Sequence, residues 1–339
     1  MAHRLISFVI SESPKVKKGV ELEQKPIQSA PQYYESSIPK QFESAKEKLK
    51  VGDREVEFFI RSYRPDNLLV EASIEVEDIF SQEAFKLREE LIYGCNKISQ
   101  KRGGKPELSE EYSIALVSGY KGDPEQFLTK SEAIAAFLKS EREPLDEKEI
   151  EYTLSAQIKY ARNDLVIVDW DGAFVFDTTG EIDDIIDLFQ VANLQLLRYR
   201  VLDRDLDERL GRVTKFANVA NRKNMLLNRR NLTKEFREII ETRRRSIVDF
   251  EAIDRDIKLI GDWYSARLYD LASKKYKLAD WQKTVHSKLE SLEDIYDIVA
   301  ENFSITSHEL LELIQIILFF VLQVGWFVLI ILEFFYYTK

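Results

Sequence analysis

Three aspartates lie close together in the run DWDGAFVFD, at Asp169, Asp171 and Asp177. Paired carboxylates can bind a divalent cation, or act as an acid and a base in hydrolysis. Asp171 is also explained by a turn, because Gly172 follows it, and the other two aspartates can simply end strands. The sequence therefore predicts no metal site, with Asp169 and Asp171 as weak candidates.

The other reactive side chains are scattered along the chain. His3, His286 and His308 have no second His or Cys at metal-ligand spacing, and Cys95 has no neighbouring basic motif. We expect His286 and His308 at ordinary helical positions and Cys95 as a partly buried structural thiol. The chain contains no P-loop, no GxGxxG fingerprint and no GxSxG elbow. No catalytic residue and no cofactor is therefore expected.

The run GYKGD at 119–123 leads into a predicted helix, whose free backbone N–H groups make a generic anion site. One lysine and two glycines do not make a phosphate-binding motif. We therefore interpret this run as an ordinary loop.

The densest positive charge lies at residues 212–245, which contain eleven Lys and Arg residues and three acids and so have a net charge of +8. Phe216 and Phe236 are the only aromatic residues there, so stacking on single-stranded RNA is not favoured. Three interpretations stay open: a solvated or acid-paired face, contact with anionic lipid, and contact with structured RNA such as the ribosome. The predicted basic surface consists of Arg222, Lys223, Arg229, Arg230, Arg243, Arg244 and Arg245.

The clearest signal in the chain is the run LIQIILFFVLQVGWFVLIIL at 313–332, which has no ionisable side chain. About 20 apolar residues cross the hydrocarbon core of a bilayer. Trp326, Tyr336 and Tyr337 suit the membrane–water interface. We therefore predict one C-terminal transmembrane helix, beginning near Ser307 at a capping box.

Three residues of this predicted span, Gln315, Gln323 and Gly325, have amide or small side chains that allow close helix–helix contact in lipid. They predict self-association. The span lies close to the C-terminus and no signal peptide or transit peptide is evident, so we expect a single-pass, tail-anchored protein with residues 1–311 in the cytosol.

The composition limits the remaining classes. The chain has 339 residues and a formal net charge of −10, which does not indicate a generally basic nucleic-acid binder. A single cysteine excludes an intramolecular disulfide and fits a reducing compartment.

Residues 1–180 have the pattern of a mixed α/β domain with several antiparallel strands. Proline-rich residues 11–40 read as irregular. Asp171-Gly172 between two β-branched and aromatic runs predicts a hairpin with a type I′ turn. The predicted strands are 4–10, 55–63, 68–76, 112–117, 149–160, 165–170 and 173–177, and the predicted helices are 82–98 and 124–140.

Beyond Gly180 the chain has no proline and follows helical spacing, which predicts a helical stem over 181–306 and a membrane helix over 307–339. The last two stem helices have the packing seam of a helical bundle or coiled coil and pair through a turn at 277–280. The fold class is therefore α+β. The predicted stem helices are 181–209, 212–247, 252–277 and 280–303.

Four segments occur in a familiar order: RNDLVIV at 162–168, GDWYSARLYDLASKKY at 261–276, KLESLEDIYDIV at 288–299, and LLE at 310–312 before the span. Their order resembles the C-terminal half of the required-for-meiotic-nuclear-division (Rmd/Sif2-like) family of tail-anchored proteins. The resemblance implies no catalytic residues, and for mitochondrial members a role in organellar translation. Without a presequence, this chain is expected in a bacterial inner membrane.

The leading hypothesis is a non-enzymatic, membrane-anchored scaffold that forms homo-oligomers and takes no small-molecule substrate. The first alternative is a single-span oligomeric channel, because an α/β domain followed by long helices looks like the CorA-like magnesium-transporter plan. That plan requires a second span and a Gly-Met-Asn loop, and neither is here. The second alternative is a nucleotide- or metal-dependent enzyme in residues 1–180.

Overall fold

The computed structural model describes residues 3–13, 19–22, 41–63, 66–219, 241 and 263–337. Its architecture is α+β, as the sequence predicts. The strands are β1 (His3–Glu12), β2 (Val20–Glu21), β3 (Gln41–Val51), β4 (Arg54–Tyr63), β5 (Asn67–Val76), β6 (Ser109–Val117), β7 (Gln157–Ile158), β8 (Asp164–Val168) and β9 (Gly172–Asp177). The helices are α1 (Gln82–Lys101), α2 (Ser131–Lys139), α3 (Glu147–Ser155), α4 (Asp183–Val219), α5 (Trp263–Lys275) and α6 (Leu278–Tyr337), with 3₁₀ turns at Pro106–Leu108 and Pro124–Lys130.

The nine strands form one sheet in the order β2-β3-β4-β5-β1-β6-β9-β8-β7. Every neighbouring pair is antiparallel except β6 and β9, which run parallel. β1 lies at the centre and is buried on both faces. A strand in that position needs a nearly continuous apolar run, and RLISFVI provides one.

Helices α1 and α2 cover one side of the sheet, which we call the α1/α2 face. The Ser81 hydroxyl caps α1 by accepting a hydrogen bond from the backbone N–H of Ala84. Gly94 lets α1 approach the sheet, since a Cβ there would lie 2.6 Å from the Phe58 ring. The apolar core of this face includes Leu5, Val9, Phe58, Val70, Leu91, Cys95, Ile134, Phe137, Phe174 and Phe176.

The opposite side of the sheet, which we call the α4/α5 face, is built from aromatic rings. The Tyr112 ring lies 5.7 Å from Phe8, 5.1 Å from Phe189 of α4 and 5.8 Å from Tyr276, which directly follows α5. These centroid distances are typical of tilted and edge-to-face packing. Both faces of the sheet are therefore buried.

Most predicted elements of residues 1–180 are confirmed, but the strand predicted over 149–160 is wrong. Residues Glu147–Ser155 form α3, and a strand follows only at Gln157–Ile158. Asp146 caps the helix by accepting a hydrogen bond from the N–H of Lys148. Ile150 and Leu154 are four residues apart, so the same letters fit a helix as well as an alternating strand.

The N-terminal region also differs from the prediction. β1 extends into the segment predicted as irregular, and β2 lies within it. The rest of 11–40 falls mainly outside the described residues. β3 was not predicted, because its sequence QFESAKEKLKV is largely polar. It is an edge-proximal strand whose lysines pair with acids of the neighbouring turn and strand.

The predicted hairpin of β8 and β9 is confirmed, but its turn is one residue earlier than predicted. Val168 pairs with Ala173, and the N–H of Asp169 donates to the carbonyl of Gly172, which leaves Trp170 and Asp171 at the tip. Positive φ among the described residues occurs elsewhere, so the type I′ turn is wrong. Gly172 serves a different purpose: a Cβ there would lie 2.7 Å from the Ser113 carbonyl oxygen of β6.

By backbone contacts the chain divides into two compact units: the first joins Met1–Asp205 with Arg245–Val285, and the second joins Leu206–Arg244 with His286–Lys339. A turn joins α5 and α6, but it comes earlier than the predicted 277–280: α5 ends at Lys275, Lys277 has a positive φ of 50°, and α6 begins at Leu278. The domain bounds predicted at 180 and 306 stay predictions.

The second unit contains Leu311–Glu333, a 23-residue segment of α6 with a mean hydropathy of 2.6 and no burial. It is long and apolar enough to cross a membrane. The predicted helix start near Ser307 is absent, because α6 runs without a break from Leu278 to Tyr337. The capping-box letters therefore lie inside a helix.

Candidate functional site

The acidic β8–β9 hairpin is where the sequence places its weak metal candidates. Asp169 is 6% exposed, and its Oδ1 accepts a hydrogen bond of 2.9 Å from the N–H of Trp170. This bond fixes the tip of the hairpin. The backbone of the turn therefore holds the Asp169 carboxylate in place.

Two ammonium groups then neutralise Asp169. Lys139, at the end of α2, lies 3.2 Å from Oδ2, and Lys275, at the end of α5, lies 3.4 Å from Oδ1. Burial opposes the charge of Lys139, but a hydrogen bond to Glu149 and the charge of Asp169 raise its pKa. A metal ion would have to displace both lysines, so this geometry is that of an ion-paired clasp.

Asp171 contributes its backbone to the same clasp. Arg88 of α1 is 5% exposed and donates from Nη2 to the Asp171 carbonyl (2.9 Å) and from Nη1 to the Phe137 carbonyl (2.7 Å). Its guanidinium lies 4.6 Å from the centre of the Phe137 ring. Burial lowers the pKa of Arg88 to about 10 despite the nearby acids, and burial also raises the pKa of Asp171.

The remaining candidates of the first unit lie apart from this hairpin. Burial raises the pKa of the Cys95 thiol, whose Sγ lies 3.7 Å from the Ser7 carbonyl, and it lowers the pKa of His3. In the loop at 119–123, Asp123 caps the following turn and pairs with Lys159. An anion bound at this loop would be repelled by the Asp123 carboxylate. Within the described ranges, no three His, Cys, Asp or Glu side chains form a metal-binding group.

A second polar cluster, which sequence reasoning missed, lies on the α4/α5 face. Gln41 Nε2 donates to the Tyr63 hydroxyl (2.7 Å), and that hydroxyl donates to Gln190 Oε1 (3.2 Å). Gln190 Nε2 in turn donates to Glu71 Oε2 at 2.5 Å. Gln190 and Tyr63 are fully buried. The chain of hydrogen bonds therefore joins β3, β4 and β5 to α4.

One carboxylate of this cluster pairs with an arginine, and the other accepts a hydrogen bond from an amide. Arg61 Nη1 lies 3.5 Å from Glu71, and Gln41 Nε2 lies 3.4 Å from Asp187 Oδ1. Burial and then the charge of Glu71 raise the pKa of Asp187 to about 6, while Arg61 opposes the shift. A carboxyl group that titrates near neutral pH is typical of functional sites, although structural networks produce the same shift.

The same helix carries a row of buried amides that ties it to α5. Asn193 Nδ2 donates to the Tyr276 hydroxyl at 3.1 Å, and Gln195 accepts a hydrogen bond from the Tyr269 hydroxyl. The row consists of Gln190, Asn193 and Gln195, and all three side chains are nearly inaccessible to solvent. The sequence signal for this cluster is the run FQVANLQLL, in which amides interrupt an otherwise apolar helix face.

The residues of the predicted span have the placement expected of a membrane helix. Trp326, Tyr336 and Tyr337 are 69%, 81% and 80% exposed, and Gln315 and Gln323 are exposed on the same helix. The predicted basic surface lies outside the described residues. This holds for all seven of its residues: Arg222, Lys223, Arg229, Arg230, Arg243, Arg244 and Arg245.

Comparison with known proteins corrects the family resemblance. A family model described as the N-terminal domain of uncharacterized protein MJ0711 matches residues 15–183. Uncharacterized protein MJ0711 of Methanocaldococcus jannaschii is 27% identical over 256 residues, which cover 75% of this chain and 77% of that protein. No solved structure matches the chain at comparable significance.

The required-for-meiotic-nuclear-division resemblance is therefore wrong. It rested on short runs between residues 162 and 312, whereas the family match covers residues 15–183, most of which the resemblance left out. The relative is archaeal, so the bacterial origin has no support. Over three quarters of its length, this chain is similar to the archaeal uncharacterized protein MJ0711.

Proposed function

We propose that this protein is a non-enzymatic scaffold, anchored in a membrane by Leu311–Glu333, with its α/β unit in the cytosol. The observation that carries the proposal is the apolar helix segment, none of which is buried. Leaving 23 such residues in water would expose far more apolar area than a soluble monomer tolerates. A bilayer removes that cost.

The polar groups of the α/β unit support a scaffold over an enzyme. Asp169 is neutralised by two lysines, and Arg88 is committed to two backbone carbonyls. Both side chains are more than nine-tenths buried, so neither is open to a ligand from solvent. Groups that hold helices to a sheet in this way serve positioning rather than chemistry.

Self-association through the span is part of the proposal, and helix geometry refines it. At about 100° per residue, Gln315 and Gln323 lie about 80° apart around the helix, whereas Gln323 and Gly325 lie about 160° apart. Gln315 lies between the other two, about 80° from each, so the three residues cover one side of the helix. Amides in lipid are stabilised by bonding across helices. The basic segment at 212–245 is proposed to contact anionic lipid or the ribosome.

Membrane extraction tests the anchor. Membranes carrying the full-length protein are washed with alkaline carbonate and then with mild detergent. We expect extraction by detergent alone, because a spanning helix is released only when the bilayer is dissolved. Release by carbonate would overturn the anchor. Protease protection of the α/β unit in intact cells tests its cytosolic side.

Native mass in mild detergent tests self-association. We expect the double variant Gln315→Leu, Gln323→Leu to lose oligomer mass, while the control variant Val328→Leu, about 140° around the helix from both glutamines, keeps it. An unchanged mass of the glutamine variant would remove the proposed contact.

A thermal-shift screen with nucleotides and divalent ions tests the non-enzymatic assignment, because a ligand at 100 times its Kd stabilises a protein by about 2.7 kcal/mol.

A further inference from the structure

Helix α4 is buried on all sides where it packs on the sheet. Every residue from 188 to 197 is at most 8% exposed, although the stretch includes three amide side chains. A carboxyl group lies at each end of this stretch. Asp187 precedes it on the helix itself, and Glu110 of β6 pairs with Arg200 just beyond it. We call this stretch, together with the two acids and Arg200, the α4 seat.

The polar contacts at the start of the α4 seat are incomplete. Among the described residues, Asp187 forms no ion pair, and it accepts one long hydrogen bond, from Gln41 Nε2 at 3.4 Å. Arg61 pairs instead with Glu71 at 3.5 Å, and its buried Nε has no hydrogen-bond partner. An ionised Asp187 is therefore a charge at the edge of the buried stretch without a counterion. The other titratable groups around it are Tyr63 of β4 and Asp184 of α4.

The far end of the α4 seat is held by one ion pair. Glu110 is 7% exposed and pairs with Arg200, which also donates from Nη1 to a backbone carbonyl of β6 at 3.1 Å. One arginine is thus the counterion of a nearly inaccessible carboxylate. The other titratable groups around Glu110 are Glu111, Asp171 and Tyr276.

Burial acts on the two acids in the same direction. It raises the pKa of Asp187 to about 6, and the charge of Glu71 adds to the shift. It also raises the pKa of Glu110 to about 7, although the charge of Arg200 opposes the shift. A raised pKa means that the closed seat favours the protonated acid. The stability that each acid contributes is therefore present at low pH and lost as the pH rises through its pKa.

We propose that the α4 seat is a pH-sensitive switch, whose ends open more often as Asp187 and Glu110 ionise. A protonated carboxyl group needs no counterion, and it can donate as well as accept a hydrogen bond. An ionised carboxylate in the same place gains from water, which reaches it when the neighbouring turns of α4 lift from the sheet. Opening would uncover the aromatic rings of the α4/α5 face. The switch lies in the first unit and is independent of the proposed membrane anchor.

Hydrogen exchange of backbone amides, followed by mass spectrometry of the full-length protein in mild detergent, tests the switch. Exchange is compared at pH 5 and pH 8, with labelling times scaled for the intrinsic pH dependence of amide exchange. Peptides covering 184–192 and 196–204 report on the two ends of the seat. A peptide covering 86–94 of α1 is the control, because α1 lies on the other face of the sheet.

We expect opening at 184–192 to be about tenfold more frequent at pH 8 than at pH 5. This factor follows from a pKa of about 6 for Asp187 in the closed seat and about 3.9 for an aspartate in the open chain. The pKa of Glu110 is higher, so opening at 196–204 should change by about tenfold or more. Opening at 86–94 should not change between the two pH values.

Two variants that replace an acid by its amide separate the two ends. Asp187→Asn should remove the pH dependence at 184–192 and leave that at 196–204, whereas Glu110→Gln should do the reverse. Each amide keeps an oxygen that can accept from the partner of the acid. The matched control is Asp184→Asn, because Asp184 lies on the same helix but is exposed. It should keep the wild-type pH dependence.

Three outcomes would overturn the switch. Equal exchange of both α4 peptides at the two pH values would show that the seat is not linked to protons, and this comparison needs no variant. Equal pH-dependent changes in the α4 peptides and in 86–94 would show that the first unit opens as a whole. If Asp187→Asn and Glu110→Gln both kept the wild-type pH dependence, other groups would be responsible for it.

Discussion

The two faces of the central sheet solve the same burial problem with different chemistry. The α1/α2 face is filled by aliphatic side chains and stacked phenylalanines, with small hydroxyl pairs and the buried Arg88 guanidinium as its internal polar groups. The α4/α5 face contains buried amides, tyrosine hydroxyls and carboxylates that titrate near neutral pH. An apolar face gains stability from area and packing, whereas a polar face gains it only when each group finds its partner.

This contrast assigns different roles to the two faces. On the α1/α2 face, many arrangements of similar volume would bury the same area. On the α4/α5 face, a shift of α4 by one residue would leave Gln190 and Asn193 without Tyr63, Glu71 and Tyr276. Unpaired buried polar groups are costly, so the amide row fixes the position of α4. The first face thus supplies stability and the second supplies register.

The largest expected effect is on the α1/α2 face. The Phe174 ring lies 5.1 Å from Phe137, 5.6 Å from Phe80 and 5.9 Å from Phe176, and it is fully buried. We expect Phe174→Ala to reduce the free energy of unfolding by about 3–5 kcal/mol, because it removes apolar area and leaves a cavity. Urea unfolding of the full-length protein in mild detergent, followed by near-UV circular dichroism, measures it.

The matched control is Phe59→Ala on the other face, where the ring is only half-buried and lies 4.6 Å from the Lys46 ammonium. Its loss should be less than half of the Phe174 effect. Equal losses would mean that the two faces do not differ in how they supply stability.

The second prediction tests close packing of the backbone under the same face. A Cβ at position 172 would lie 2.7 Å from the Ser113 carbonyl oxygen and 3.4 Å from Phe137. Gly172→Ala should therefore cost about 1–3 kcal/mol, because the β6–β9 pair must separate.

Gly211→Ala is the control for this substitution, since a Cβ at 211, within α4, has nothing within 4 Å. Alanine there should be neutral or stabilising by about 0.5–1 kcal/mol, because glycine is a poor helix former. A Gly172→Ala variant as stable as wild type would show that the hairpin can move away from β6.

Sequence reasoning reached the parts of this fold that depend on local chemistry. The helical turn that begins after Asp123, α1 and the β8–β9 hairpin follow from residues that are neighbours in the chain. The polar clusters do not, because Tyr63 meets Gln190 across 127 residues and Asp169 meets Lys275 across 106. No short pattern records such a pairing. The sequence shows the amides of α4, but it does not show which residues they contact.

The third prediction concerns pH dependence on the α4/α5 face. The pKa of Asp187 is raised to about 6, against about 3.9 in an unfolded chain. The folded state therefore favours the protonated group, and this contribution to stability is present below pH 4 and lost as the pH rises through 6. Glu71, Arg61, Tyr63 and Asp184 are the charged or titratable groups that act on it.

Asp187→Asn keeps an acceptor for Gln41 but removes the charge. We expect it to raise the free energy of unfolding by about 1–3 kcal/mol at pH 8, reduced by solvent screening of the partly exposed group, and to change it little at pH 4. Parallel urea titrations of wild type and variant give the difference at each pH. A difference that is constant with pH would show that Asp187 does not titrate in this range.

The smallest expected effect tests whether the hydroxyl pairs of the α1/α2 face behave as its apolar groups do. Ser7 and Ser113 are direct partners across β1 and β6, and their hydroxyls are 2.8 Å apart and fully buried. Either single Ala substitution should cost about 1 kcal/mol, because it leaves the other hydroxyl without this partner. The double substitution should cost less than the two single losses together, since it removes both polar groups and leaves a nearly apolar strand pair. A double-mutant cycle in urea measures this coupling. Additive losses would mean that each serine is stabilised by its surroundings rather than by its partner, and the α1/α2 face would then hold polar groups as specifically as the α4/α5 face does.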